Sequence, residues 1–299
     1  MTAGGAGKDG APGKPGTNGA VGTARTDGAT GAAEAPGGAD AHPLAEAMAA
    51  AVVEVGGLLR GWRSDADARS GVWEGSQFKA RADAMAHRAL SERLTAIDGR
   101  IPVVSEEDPE SLRGERPPRY WLIDPVDGTA SYVHGFPGYV TQVALVSGGR
   151  PEAAAVFAPE TATLYTAARG RGARRDGRPL PPPRPAPSGR GVLTDNTPRP
   201  EGIARRVRDR FGYGGYLESG SISLKLCLVA EGSAHLFVKD VPVRDWDVAA
   251  PALVLEEVGG LVTRLDGSPF DYRGPYEHTG LVGAADPAAC RAVSDWLGS

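Results

Sequence analysis

Residues 119–129, RYWLIDPVDGT, run from an apolar stretch straight into two carboxylates three residues apart, with Gly-Thr directly behind them. Two further segments carry acids in a similar place: VVSEED at the end of another apolar run, and VRDWDVAA at the expected start of a helix. Acids are ordinarily dispersed over a protein surface, so three such segments constrain the fold strongly. If Glu106, Asp124, Asp127 and Asp247 meet, each ionised pair about 4 Å apart costs roughly 4 kcal/mol at an effective dielectric near 20, and several such pairs exceed the net stability of a typical domain. Protonation or a bound cation has to relieve that repulsion. Oxygen donors without His or Cys suit a hard ion such as Mg2+, which keeps several waters and binds substrate phosphate as well. Asp124 can bridge two such ions. Gly128 lets the backbone approach an anion at a helix start, and Thr129 can orient a water. A single Asp-Pro-x-Asp-Gly string fits equally a turn at Asp124 and a helix cap at Asp127. The three segments together favour the cation.

Around these acids the chain reads as a mixed α/β protein in two parts behind a tail. Residues 1–43 contain no Leu, Ile, Phe, Tyr or Trp, and Val21 is their one large aliphatic besides Met1, so disorder is expected there. Glycine recurs at every third position from Gly4 to Gly22, a weakly collagen-like repeat that admits a trimeric stalk as the alternative to a flexible tail. Residues 43–60 and the stretch from Lys79 to Ile97 carry helical spacing of apolar residues. IPVVS, YWLID, VTQVALV and AAAVFAP follow as strands. Proline-rich 179–187 lacks the amide donors of a central strand, which sets a boundary between residues 44–180 and 181–299. Beyond it SLKLCLVAEG is expected as a helix, AHLFVK as a strand and WDVAAPALVLEEVGG as a helix closed by glycine.

Bulk properties exclude more than they identify. The net charge of −4 argues against a nucleic-acid polymer as partner. Two cysteines, Cys227 and Cys290, make neither a disulfide framework nor a zinc site, which fits a reducing cytoplasm. No run of about 18 apolar residues suggests a membrane span, and the N-terminus has no apolar signal core. His87, His134 and His235 have no partners at a recognisable spacing and receive no role, while Trp121 and Trp246 are expected to pack beneath the acids.

The string DPVDGT, with SEED upstream and WDVAA downstream, resembles the magnesium-dependent, lithium-sensitive phosphatases that include inositol monophosphatases and 3'(2'),5'-bisphosphate nucleotidases; the resemblance runs from about Ala45 to the C-terminus. It implies a layered αβαβα sandwich of the inositol monophosphatase and fructose-1,6-bisphosphatase type, a homodimer, and two or three Mg2+ ions with inhibition by Li+. The metal ligands carried over are Glu106, Asp124, the carbonyl of Val126, Asp127 and Asp247, with Glu107 outside that set. Gly128 and Thr129 hold phosphate, and Thr129 with Asp83 activates the attacking water; Gln77 and Ala80 stand where the family has polar anchors near Asp83. The implied substrate is a small phosphate ester. Gly220, Ser221, Ser223 and Lys225 match a nucleotidase run, and Lys239 adds a cation for a second phosphate, as in 3'-phosphoadenosine 5'-phosphate. Asp240, seven residues before Asp247, matches instead an acid that inositol phosphatases use for sugar hydroxyls, so inositol 1-phosphate or another sugar or nucleoside monophosphate is the alternative. The alternative of another class is a non-catalytic, trimeric, collagen-like metal-binding protein.

Overall fold

The computed structural model describes Met1 and residues 41–74, 77–186 and 189–299. The Gly-x-y repeat, and with it the expected tail and trimeric stalk, lies outside the described residues. The folded part opens with α1 (Ala41–Trp62), the single turn α2 (Ala66–Arg69), the hairpin β1–β2 (Gly71–Glu74 and Gln77–Ala80) and α3 (Arg81–Ile97). The second long helix was expected from Lys79; it starts two residues later because residues 77–80 pair with 71–74 in an antiparallel ladder.

Seven strands then form one sheet in chain order: β3 (Val103–Ser105), β4 (Arg119–Asp127), β5 (Val140–Ser147), β6 (Arg150–Ala158), β7 (Thr163–Ala168), β8 (Ala173–Arg175) and β9 (Arg178–Pro179), with the short helix α4 (Thr129–His134) between β4 and β5. Only β3 and β4 run parallel. Side chains alternate across this sheet as the period of two requires. Trp121, Ile123, Val143 and Leu145 pack with α1 and α3 on one face. Tyr120, Leu122, Val140 and Ala144 face the other way, onto α6 (Ile222–Ala230) and α7 (Asp245–Glu257).

Past the exposed prolines 181 and 182, a second sheet has the order β11–β10–β12–β16–β14, built from β10 (Val192–Asp195), β11 (Gly215–Glu218), β12 (Leu236–Lys239), β14 (Leu261–Thr263) and β16 (Leu281–Ala284). β10 lies parallel to β11 and β12, and β16 antiparallel to β12 and β14. Its Phe237 and Val262 meet α6 and α7, whereas Leu236, Val238 and Val282 pack against α5 (Gly202–Phe211) and α8 (Pro287–Gly298). The resulting order is helix, sheet, helix, sheet, helix. Two short strands, β13 (Val243–Arg244) and β15 (Glu277–His278), pair beside the start of α7. α6 is apolar almost all round, with Leu224, Leu226, Cys227 and Val229 all buried, as a helix between two sheets must be.

Candidate active site

Asp124 and Asp127 stand three apart, so a regular strand would send them to opposite faces. β4 breaks its register at that point: Asp124 pairs with Gln142 and Asp127 with Val140, three steps against two. Such a bulge adds one residue to one strand and re-aims the side chains after it. Both carboxylates consequently face the α6–α7 layer, and Asp247, from the first turn of α7, joins them with all three donor oxygens within 4.8 Å of one another. Asp83, Glu106 and Glu107 form a second group of the same compactness. The charge of Glu106 also acts on the first group, raising the pKa of Asp124 and of Asp247.

Each acid is held from behind. Asp124 Oδ1 accepts the Val126 N–H at 3.0 Å. Asp127 Oδ2 accepts the Ser223 N–H at 2.8 Å from the start of α6. Asp247 Oδ2 accepts the Arg244 N–H at 2.7 Å, and Ser223 Oγ donates to the Asp247 carbonyl at 2.9 Å. Burial pushes the Asp124 carboxyl well above the ordinary range, and the charges of Glu106, Asp127 and Asp247 push it further. Burial and the charges of Asp127 and Glu106 do the same to Asp247. Asp127 is raised by burial against the pull of Ser223 and Lys225. A pocket of buried carboxylates that resist ionisation together is the donor set a hard divalent cation would complete.

Thr129 opens α4 behind Gly128, whose φ of +92° is a left-handed conformation; a Cβ there would lie 3.1 Å from the Gly138 carbonyl and 3.2 Å from Ser221 Cβ. The Thr129 hydroxyl donates to Asp83 Oδ1 at 2.8 Å and lies 3.2 Å from the Val126 carbonyl. Asp83 Oδ2 meanwhile accepts the Ala80 N–H at 3.1 Å, fixing the carboxylate at the start of α3. Burial raises the Asp83 carboxyl to about 8, the Thr129 hydrogen bond opposes the shift, and Glu107 and Glu106 add to it. Ala80 has no polar side chain, and its backbone N–H does the holding.

The expected substrate residues divide. The Ser221 N–H donates to the Gly138 carbonyl at 2.6 Å and Ser221 Oγ caps α6 through the Leu224 N–H, so Gly220–Ser223 abut Gly128 and the acids. Lys225 is only 1% exposed; its ammonium donates to the Gly220 carbonyl at 2.6 Å and sits 4.9 Å from the centre of the Phe237 ring, under the loop. Burial lowers its pKa to about 8. Lys239 reaches Asp195 at 3.4 Å and Asn196 at 3.0 Å, and Asp240 lies 3.7 Å from Arg206. His87 bonds Ser105, whose hydroxyl also accepts the Glu107 N–H, and so lies beside the second acidic group, while His235 accepts from the Val192 N–H. Trp121 lies on the face of β4 opposite to Asp124, and Trp246 packs against Tyr276 at 5.8 Å.

Sequence reasoning missed several supports. Arg63, at the end of α1, donates to the carbonyls of Ser131, Tyr132 and Phe136 and so anchors the C-terminal end of α4. Gln142, opposite Asp124, donates to the Trp246 carbonyl at 2.7 Å. Arg116, Asp245 and His278 form a buried ionic group at the start of α7. For Asp245 a signal existed, a second acid two residues before Asp247; Arg63 and Gln142 stand in segments with no distinguishing pattern.

The sequence profile described as the inositol monophosphatase family matches residues 40–295. The chain belongs to the inositol monophosphatase family. Escherichia coli K12 3'(2'),5'-bisphosphate nucleotidase CysQ is 32% identical over 203 residues, 64% of this chain and 78% of that protein. Inositol monophosphatase 1 of Solanum lycopersicum is 30% identical over 192 residues, 62% of this chain and 66% of that one. The solved structure of Thermotoga maritima IMPase superposes with a TM-score of 0.72 at 21% identity, covering 86% of this chain and all of that one, which shows the shared fold. As a family member the chain is a phosphatase acting on phosphomonoesters. The family is metal-dependent, and the two acidic groups here could hold metal. Among the described residues no helix is long and apolar enough to cross a membrane.

Proposed function

We propose that the site hydrolyses a small phosphorylated metabolite with Mg2+ held by Glu106, Asp124, the Val126 carbonyl, Asp127 and Asp247. The observation that carries this reading is the convergence of Asp124, Asp127 and Asp247 within 4.8 Å, all three with raised pKa values. When bound, divalent cations supply positive charge to the phosphoryl oxygens and acidify water at neutral pH. Thr129 orients the attacking water through its hydroxyl, and Asp83, 2.8 Å behind it, takes the proton. A carboxylate shifted to about 8 is a stronger base than an ordinary one, and a general base near the working pH is worth about 10^2 to 10^4 in rate. Gly128, in a left-handed conformation that packs against Gly138 and Ser221, turns the chain into α4 so that its first amides can face the phosphate. The ion in this reading is Mg2+ with Li+ as inhibitor, and the enzyme is a cytoplasmic homodimer.

The substrate proposed first is a 3'(2'),5'-bisphosphate nucleotide such as 3'-phosphoadenosine 5'-phosphate, cut to a nucleoside monophosphate and phosphate. The similarity to CysQ and the run GSISLK at residues 220–225 support it. A second reading, inositol 1-phosphate or a related monophosphate, is favoured by one observation: Lys225 and Lys239, the cations expected for a second phosphate, are already engaged by Gly220 and by Asp195 with Asn196. Phosphate release from 3'-phosphoadenosine 5'-phosphate, inositol 1-phosphate, fructose 1,6-bisphosphate and nucleoside monophosphates, with Mg2+ and with chelator, separates them. The bisphosphate nucleotide should give the highest kcat/KM; equal slow cleavage of all four would defeat that preference, and turnover indifferent to chelator would defeat the metal reading.

A further inference from the structure

We propose that Arg116, Asp245 and His278, assisted by Gln142, form a buried clamp that positions Asp247 for the cation. This rests on the reading of Asp247 as a metal ligand. Asp124 and Asp127 are fixed by the ladder of β4, but Asp247 comes from the first turn of a separate helix, so its placement depends on what holds that turn. Asp245 lies two residues earlier, about 200° away around the helix, so it faces away from the site when Asp247 faces into it. It is fully buried: Oδ1 is hydrogen-bonded to His278 Nε2 at 2.7 Å, and Oδ2 lies 2.6 Å from Arg116 Nη1 as an ion-pair contact without hydrogen-bond geometry. Its backbone N–H donates to the Tyr276 carbonyl at 2.9 Å. The clamp is tied to the large sheet by Arg116, which also donates to the Tyr120 hydroxyl at 3.1 Å and the Tyr272 carbonyl at 3.0 Å and stacks 3.6 Å from the Tyr276 ring centre. Gln142 adds the bond from β5 to the Trp246 carbonyl, between the two aspartates.

A buried ionic group of this kind often contributes little stability compared with apolar side chains of the same volume, because desolvation cancels the attraction. What it supplies is orientation. Supports behind metal ligands change ion affinity by about 10- to 100-fold when removed.

The test is calorimetric titration of the full chain with Mg2+ or Mn2+ alone, beside thermal melting in chelator. The double variant Arg116→Met, Asp245→Leu should melt cooperatively and bind the ion about 10-fold more weakly, with KM for substrate at saturating ion unchanged. His278→Leu should weaken the ion too, and His278→Gln, which keeps an N–H for Asp245, should recover most of it. Should the double variant not fold, the His278 pair decides alone. Asp247→Asn is the control and should lose more affinity than any of them. Folded clamp variants that bind the ion as tightly as wild type, while Asp247→Asn does not, overturn the clamp; an Asp247→Asn variant with wild-type ion affinity removes the metal reading on which the clamp rests.

Discussion

Replacing Asp124 by asparagine puts a neutral amide where the metal-free pocket can hold a carboxyl only by keeping its proton. The amide keeps an oxygen for the Val126 N–H, so the local turn of β4 survives. Asp124 and Asp247 both have folded-state pKa values pushed well above the ordinary range by burial and by neighbouring acids. A carboxyl that stays protonated when folded, at a pH where the unfolded chain has lost its proton, makes the folded state bind the extra proton. Stability then falls as pH rises, by about 1.4 kcal/mol per unit per proton, from about pH 4 up to the raised folded pKa. Each proton retained by the folded state adds the same slope, so the repulsion among the buried acids makes the metal-free fold progressively less stable as pH rises. Asp124→Asn should remove the Asp124 proton from that slope, so in chelator at pH 7 the variant is more stable than wild type while its turnover is lost. Saturating Mg2+ should abolish or reverse the wild-type slope, since the ion binds the ionised acids. Urea denaturation at pH 5, 6, 7 and 8, with chelator and with Mg2+, measures all of this. A metal-free wild type whose stability does not change with pH, or an Asp124→Asn variant less stable than it at pH 7, would refute the reasoning.

Other expectations follow from single contacts. Thr129→Val should cut kcat by about 10^2-fold or more with KM little changed, and Thr129→Ser should restore most of it, as steady-state kinetics at saturating Mg2+ will show. Gly220→Ala places a methyl against the Gly138 carbonyl and Ser131 Oγ, so melting should reveal a loss of roughly 1–3 kcal/mol together with lower activity. Lys225→Met removes the bond to the Gly220 carbonyl and should lower kcat/KM for bisphosphate and monophosphate esters alike; a loss confined to the bisphosphate would mean that the ammonium reaches the substrate.

The layers of the fold were legible because they depend on local pattern. Helical spacing marked α1 and α3, and β-branched runs marked β4 to β6. The acids were legible as well, since their chemistry is unusual wherever it is concentrated. The pairing of Asp83 with Thr129 came from family resemblance rather than from spacing, because 46 residues separate them.

Sequence by itself determined which acids and hydroxyls were present, and roughly which elements bore them. It did not determine that Asp124 and Asp127 share a face: an interval of three in a period of two predicts the reverse, and only the bulge against Gln142 and Val140 brings them together. Nor did it reveal that Lys225 would turn under its loop to the Gly220 carbonyl, or that Arg116 and His278, 162 positions apart, would meet on Asp245. Contacts of that kind arise from how layers settle on one another, where burial decides which polar groups must find partners, and the chain carries no local mark of the partner each one will find.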